Sequence, residues 1–259
     1  MTLINSLPAD PKPQSVLEQE RYCYQLDNAE GINTGTSPTK HKLFDEQGYL
    51  VVRNLWDAKE LYDDLPKERG QINYFDHGGE PEHNPVEQQV KGSLARYNHP
   101  KYREIHKKIG VKIGEIIGKK VYKTYFYDRF YFENQQLHKH VDRPSCEISV
   151  SVHISTNMPE HMKLWPFGIQ TPSEFTKEKK PKLIKRGKDK YEILKPGDGL
   201  IYKGVERPHW RDPLPALRKR DKIKRAFTKK EFYYHQIFFH YVLQDGERAH
   251  HAFDSAINL

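Results

Sequence analysis

Two cysteines, Cys23 and Cys146, are all that 259 residues supply. That is too few for a disulfide framework, and both are read as reduced thiols. Long hydrophobic runs are missing as well. No stretch approaches the roughly 18 apolar residues that a membrane-spanning helix takes, and the opening MTLINSLPADPKPQ lacks the basic, then apolar, order of a secretory signal. A cytoplasmic protein without membrane contact is the expectation. Apolar residues are modest at 36% against 30% charged, polar for an enzyme yet well above the composition of a disordered chain. Aromatics, by contrast, reach 12% with sixteen tyrosines, which points to β structure and aromatic-lined cavities.

The net charge is +8, and much of it lies in two stretches, EKKPKLIKRGKDK at 178–190 and RKRDKIKRAFTKK at 218–230. A cationic surface attracts nucleic acid, acidic lipid or acidic metabolites. Blocks of like charge are more simply solvated loops or hairpin extensions, so no nucleic-acid partner is expected.

Residues 1–40 carry turn-forming residues without periodicity and read as an arm laid over the surface or partly disordered. Residues 41–259 read as a single domain, since β sandwiches and barrels of this size are commonly one unit. Within it, Tyr49–Val52 form a short buried strand, and Asp57 caps a helix running through Leu61 and Leu65. The run 73–84 is turn chemistry throughout and is expected to be a loop. His77, Glu80 and His83 fall there, where no flanking strand would hold a metal site in shape. A helix is expected from Pro100 to Gly118, with Ile105, Ile109, Ile113, Ile116 and Ile117 near one face and Gly118 as C-cap. After Val121 the pattern turns to short strands: YKTYFYDRFYF, EISVSVHIS, KYEIL, GLIYKG and HQIFFHYVL, with KPGDG at 195–199 as a turn. The fold class is therefore mainly β with flanking helices (α+β), a jelly roll or sandwich buttressed from the N-terminal half.

The chemistry centres on HVD at 140–142. In a strand, residues i and i+2 share a face, so His140 and Asp142 are expected to enter one cavity together. A third candidate, His209, would reach the same ion from a second strand, in GLIYKGVERPHW. Two imidazoles and one carboxylate make the facial triad of non-haem Fe(II) oxygenases, and no thiolate is present to favour structural zinc. By itself an HxD string arises by chance and fits a surface or core histidine as well. His138 shares the face of His140, but only His140 has a carboxylate two residues on. His153, His235 and His240 lie in apolar strands and read as core histidines, while His250 and His251 sit in a terminal stretch without a partner.

The strings QLHKHVDRPSCEIS, WP, KPGDGLIYKG and PHWRDP, in this order, resemble the 2-oxoglutarate- and Fe(II)-dependent oxygenases, particularly their prolyl-hydroxylase-like and phage-encoded branch. The resemblance runs from about Phe44 to Asp254. It implies a double-stranded β-helix (a cupin-like jelly roll), Fe(II) held by His140, Asp142 and His209, 2-oxoglutarate and O2 as co-substrates, and hydroxylation of a small molecule, amino acid or peptidyl residue with release of succinate and CO2. The retained Asp142 argues against the halogenating relatives, which replace that carboxylate by a small residue. The far carboxylate of 2-oxoglutarate needs a cation, ideally a guanidinium. Arg211 shares the His209 face if the strand continues; Arg218 is the alternative, and HQIFFHYV brings none. Tyr131 corresponds to a tyrosine that lines the co-substrate pocket in similar enzymes, whereas Tyr125, Tyr127, Arg129, Trp165 and Trp210 also fit ordinary sheet or rim packing. Two other readings stay open, a non-catalytic cupin-like binding protein and a nucleic-acid-modifying oxygenase with a basic groove leading to its metal.

Overall fold

The computed structural model describes residues 38–253 apart from 77 and 179. The expected arm lies outside the described residues except for its last three, which open a helix, and Cys23 lies outside them too. The N-terminal half contains α1 (Pro38–Gln47), β1 (Tyr49–Val52), α2 (Ala58–Leu61), β2 (Gly70–Asn73), β3 (Glu82–Asn84), β4 (Leu94–Tyr97) and α3 (Arg103–Ile117). The strand-rich half follows with β5 (Val121–Tyr131), β6 (Leu137–His140), β7 (Ile148–Thr156), α4 (Glu160–Lys163), β8 (Phe167–Gln170), β9 (Glu174–Phe175) and β10 (Leu183–Lys185). It closes with β11 (Asp189–Glu192), β12 (Gly199–Lys203), β13 (His209–Arg211), α5 (Lys219–Thr228) and β14 (Tyr234–Leu243).

An eight-stranded sheet runs β1-β12-β7-β14-β5-β4-β2-β3, and a four-stranded sheet runs β11-β8-β13-β6. Alternation along β5 shows how the layers meet. Phe126 packs with Ile109, Ile113 and Ile116 of α3, while Tyr125 and Tyr127 pack with Phe167 and Ile169 of the small sheet. Both faces of the large sheet are thus covered, by a helix on one side and a second sheet on the other, which is why its central strands β5, β7 and β14 are buried along nearly their whole length. Helix α3 turns its isoleucines to that sheet and stops at Gly118, whose φ of 67° is the left-handed conformation of a helix C-cap.

Several local expectations change. Asp57 does cap a helix, accepting from the Lys59 amide at 2.9 Å, but α2 ends at Leu61. Pro66 bars Leu65 from helical geometry. The run expected as a loop at 73–84 closes a hairpin instead, with Asn73 opposite Glu82 and Ile72 opposite His83; Gly78 and Gly79, at φ of 84° and 104°, make the reversal. The basic stretch 178–190 does include hairpin strand β10, paired to β9. The stretch at 218–230 is helix α5, not a loop. Its apolar residues Ile223 and Phe227 are both exposed, so no buried stripe announced it. Lys222 and Arg225 anchor it to Glu133 at 3.5 and 3.4 Å.

The turn at 195–199 is held by Asp198, which is buried and accepts from the Asn54 and Lys195 amides at 3.0 Å each and from Arg53 Nη1 at 2.7 Å. Burial tends to raise its pKa, but these donors outweigh burial and hold the carboxyl below its usual range. Asp198→Ala is expected to cost roughly 1–3 kcal/mol, mainly by stranding two amides, since the half-exposed Arg53 contributes little. A lowered folded pKa means this stability is present above about pH 4 and lost as pH falls through the folded value. Urea midpoints at pH 7 and pH 3 are the check: the Asp198→Ala deficit should be smaller at the second than at the first.

Candidate metal centre

Strand β6 ends at His140 and β13 begins at His209, and the two residues face each other across their antiparallel pairing. The imidazole centroids are 4.3 Å apart. His209 therefore arrives from the hydrogen-bonded neighbour of β6 rather than from a strand crossing the cavity. Each ring is oriented by the carbonyl two residues earlier: His140 Nδ1 lies 2.7 Å from the His138 carbonyl, and His209 Nδ1 lies 2.9 Å from that of Arg207. A ring nitrogen facing a carbonyl carries the proton, so both neutral rings present Nε2 as a lone pair.

Asp142 lies just past the end of β6, so strand alternation is not what aims it. Its amide donates to the Gly204 carbonyl at 2.9 Å, and the bend brings Oδ1 to 3.6 Å from His140 Nε2 and 3.4 Å from His209 Nε2. Burial would raise the Asp142 carboxyl, but the two imidazoles beside it, His209 foremost, outweigh burial and hold it well below the usual range. For His140, burial lowers the pKa, while Asp142 and the His138 carbonyl more than offset this, and the net shift is upward. Three ligand atoms within 4.8 Å of one another, two of them directed lone pairs and one a carboxylate oxygen, fit a divalent cation. The His138 side chain, in contrast, is exposed and among the described residues meets Gln136 at 3.3 Å.

Arg211 is buried, 1% exposed. Nη1 donates to the Trp165 carbonyl at 2.5 Å, Nη2 lies 3.5 Å from the Tyr234 hydroxyl, and Nε has no partner. Its Cζ lies 4.6 Å from the Trp165 ring centroid, 4.8 Å from that of Tyr234 and 5.2 Å from that of Phe167. Phe167 in turn stacks on His209 at 5.9 Å, which ties this recess to the metal ligands. Tyr131 sits opposite Tyr234 in the β5–β14 pairing, and both rings meet Trp165, at 5.0 and 5.3 Å. Arg211 and Tyr131 thus border the same aromatic recess. Among the described residues no carboxylate pairs with Arg211. Arg129 differs, because Glu87 and Gln89 engage it at 2.8 and 2.7 Å. Arg218, the alternative anchor, is exposed.

Three polar residues on this side of the large sheet were read otherwise or passed over in the sequence. His153 stacks on Tyr234 at 4.1 Å and leaves Nε2 unpaired; His240 likewise leaves Nε2 unpaired, and Gln236 leaves Oε1. Of the three histidines read as core, each pairs one ring nitrogen and leaves the other without a partner among the described residues: His235 reaches Asp128 at 2.8 Å, His153 the Leu194 carbonyl at 2.9 Å and His240 Ser149 at 2.9 Å. Buried polar atoms without partners are costly in a packed core, so they mark space that ligand or water fills. The signal was present in β7, where Ser149, Ser151 and His153 alternate with Val150, Val152 and Ile154: the apolar set packs with α3 and the polar set takes the opposite face.

No protein-family model and no curated protein matches the chain. Among solved structures it is similar to a prolyl-4-hydroxylase from Pseudomonas putida at 9% identity, covering 78% of this chain and 97% of that one with a TM-score of 0.47. It is also similar to a 2OG-Fe(II) oxygenase family oxidoreductase from Burkholderia pseudomallei at 12% identity, covering 82% and 92% with a TM-score of 0.47. A prolyl hydroxylase from Trichoplax adhaerens, in complex with a hypoxia inducible factor peptide, is similar at 13% identity, covering 87% and 95% with a TM-score of 0.47. These likenesses are distant, and the functional reading rests on the geometry of the site itself.

Proposed function

We propose that the protein is a cytoplasmic 2-oxoglutarate- and Fe(II)-dependent oxygenase on a double-stranded β-helix, hydroxylating a small molecule, amino acid or peptidyl residue. The observation that carries this reading is the convergence of His140 Nε2, His209 Nε2 and Asp142 Oδ1, both Nδ1 protons being tied to carbonyls, beside a buried guanidinium that no described carboxylate pairs. Such a set occupies one face of an octahedron and leaves three positions for co-substrate and O2. Bound there, Fe(II) with 2-oxoglutarate and O2 would supply an oxidant for an unactivated C–H bond, with succinate and CO2 as by-products.

The chain's own part is to bind, orient and exclude water. Arg211 offers a planar fork to the far carboxylate of 2-oxoglutarate, Tyr131 borders the same recess, and Trp165, Phe167 and Tyr234 keep it dry so that the ion pair is strong. A carboxylate at 142, where the halogenating relatives carry a small residue, favours hydroxylation. The test is succinate formation by Fe(II)-loaded protein given 2-oxoglutarate and O2 across a panel of metabolites and peptides. Succinate at the level of the metal-free protein throughout, with no stoichiometric Fe(II) binding, would sink the proposal.

Against the nucleic-acid-modifying alternative stands the placement of the basic stretches: hairpin β9–β10 is exposed and α5 is docked on Glu133. Binding through many phosphates falls by about three to five decades between about 50 and 200 mM salt. Turnover is instead expected to change little over that range. Tight single-stranded DNA or RNA binding with such a slope would favour the alternative. None of the described helices is long and apolar enough to cross a membrane.

A further inference from the structure

Asp142 turns one oxygen to the two imidazoles and the other away from them. Oδ2 accepts from Ser149 Oγ at 2.7 Å, and the same Oγ lies 2.9 Å from His240 Nδ1. Ser149 and His240 face each other across the β7–β14 pairing, so the sheet register itself sets this contact. A serine hydroxyl has one proton. The Cys146 carbonyl, 3.3 Å from Oγ, and the Tyr202 hydroxyl are also in reach as acceptors, but the short contact to an ionised oxygen takes the proton. Only lone pairs then face His240, which must donate through Nδ1–H. Its ring is wedged on Tyr125 at 4.7 Å and Tyr127 at 5.8 Å. Gly204 closes the other side: a Cβ there would come within 2.4 Å of Asp142 Oδ2 and 2.6 Å of Ser149 Oγ.

We infer that Ser149 and His240 are positioning residues for the metal, a donor chain from His240 Nδ1–H through Ser149 Oγ–H to Asp142 Oδ2 that holds the carboxylate as a one-oxygen ligand. The inference rests on the metal-centre reading above. A carboxylate with both oxygens free swings between one-oxygen and two-oxygen ligation, and the second mode takes one of the three positions that co-substrate and O2 require. Tying Oδ2 down keeps that position open. A competing arrangement uses Asp142, Cys146 and His240 as ligands, since their donor atoms also lie within 4.8 Å of one another. It would need Cys146 Sγ, which already lies 3.2 Å from the Tyr125 hydroxyl, in place of the two directed imidazole nitrogens of the first set.

Co(II) titration of the metal-free protein, read by visible and near-ultraviolet absorption, tests the chain without turnover. Ser149→Ala should weaken Co(II) about 10- to 100-fold, the usual cost of losing a partner behind a ligand, and should shift the visible bands. Ser149→Thr, which keeps the hydroxyl, should restore both. His240→Leu should weaken binding, His240→Asn should recover it by placing an N–H where Nδ1–H was, and the Ser149→Ala/His240→Leu double variant should be no worse than Ser149→Ala, because the two act as one unit. Wild-type affinity and bands in Ser149→Ala overturn the inference. So do fully additive losses in the double variant, or an intense near-ultraviolet thiolate band abolished by Cys146→Ser. If Ser149→Ala does not fold, the comparison of His240→Leu with His240→Asn decides, equal losses overturning the chain. Wild-type protein that takes up no Co(II) fails the metal-centre reading itself, a result distinct from all of these.

Discussion

His209→Ala is expected to abolish stoichiometric Fe(II) binding and succinate formation while the fold survives, and His140→Ala and Asp142→Ala should do the same. Each ligand atom is one of three that meet, so removing any one leaves a two-point site whose affinity for a labile divalent ion is negligible at working concentrations. The fold is insulated from the loss. The packing between α3 and the large sheet includes none of the three residues, and the contacts of Asp142 Oδ1 to the two imidazoles are long in the metal-free protein, 3.6 and 3.4 Å. Thermal unfolding of the metal-free variants should therefore stay close to wild type, while an added equivalent of Fe(II) raises the wild-type midpoint and none of the variants'. Two of the three variants keeping wild-type iron affinity and succinate production would show that the metal is elsewhere.

Much of this arrangement was legible in the sequence because it depends on short-range pattern. The central strands β5, β7, β12 and β14 followed from β-branched and aromatic runs, α3 from its isoleucine stripe, and HVD from its spacing. What escaped depends on contacts that pattern does not encode. Helix α5 has no apolar face to bury and is anchored by ion pairs to a residue about ninety positions away. The β2–β3 hairpin is an edge whose strand β3 is fully exposed, so its sequence shows turn residues and little alternation. The Asp142 carboxylate is aimed by a bend tied to the Gly204 carbonyl, not by the alternation that first suggested it. His240 read as core because it sits in an apolar strand, and only the register opposite Ser149 brings its nitrogen toward the site.

Arg211→Ala is expected to raise the apparent KM for 2-oxoglutarate by about two to three decades and to leave Fe(II) binding nearly intact. The argument starts from the cost of the residue in the ligand-free protein. A guanidinium 1% exposed, with one backbone carbonyl, one distant hydroxyl and three aromatic rings around it, has lost most of its hydration without gaining a counter-ion among the described residues. A carboxylate ligand of suitable length recovers that loss in paired, charge-assisted hydrogen bonds. Truncating one partner of such a buried pair costs roughly 2–5 kcal/mol, of which about 1.4 kcal/mol is each factor of ten. Arg211→Lys should fall between, since an ammonium keeps the charge and loses the fork. Tyr131→Phe should give a smaller rise, the loss of one neutral hydrogen bond at most. The competing cations are already occupied or remote: Arg129 by Glu87, Arg225 by Glu133, and Arg218 in solvent. An unchanged KM in Arg211→Ala, with a large rise in Arg218→Ala or Arg129→Ala, would move the anchor to that residue and leave the aromatic recess around Arg211 as packing.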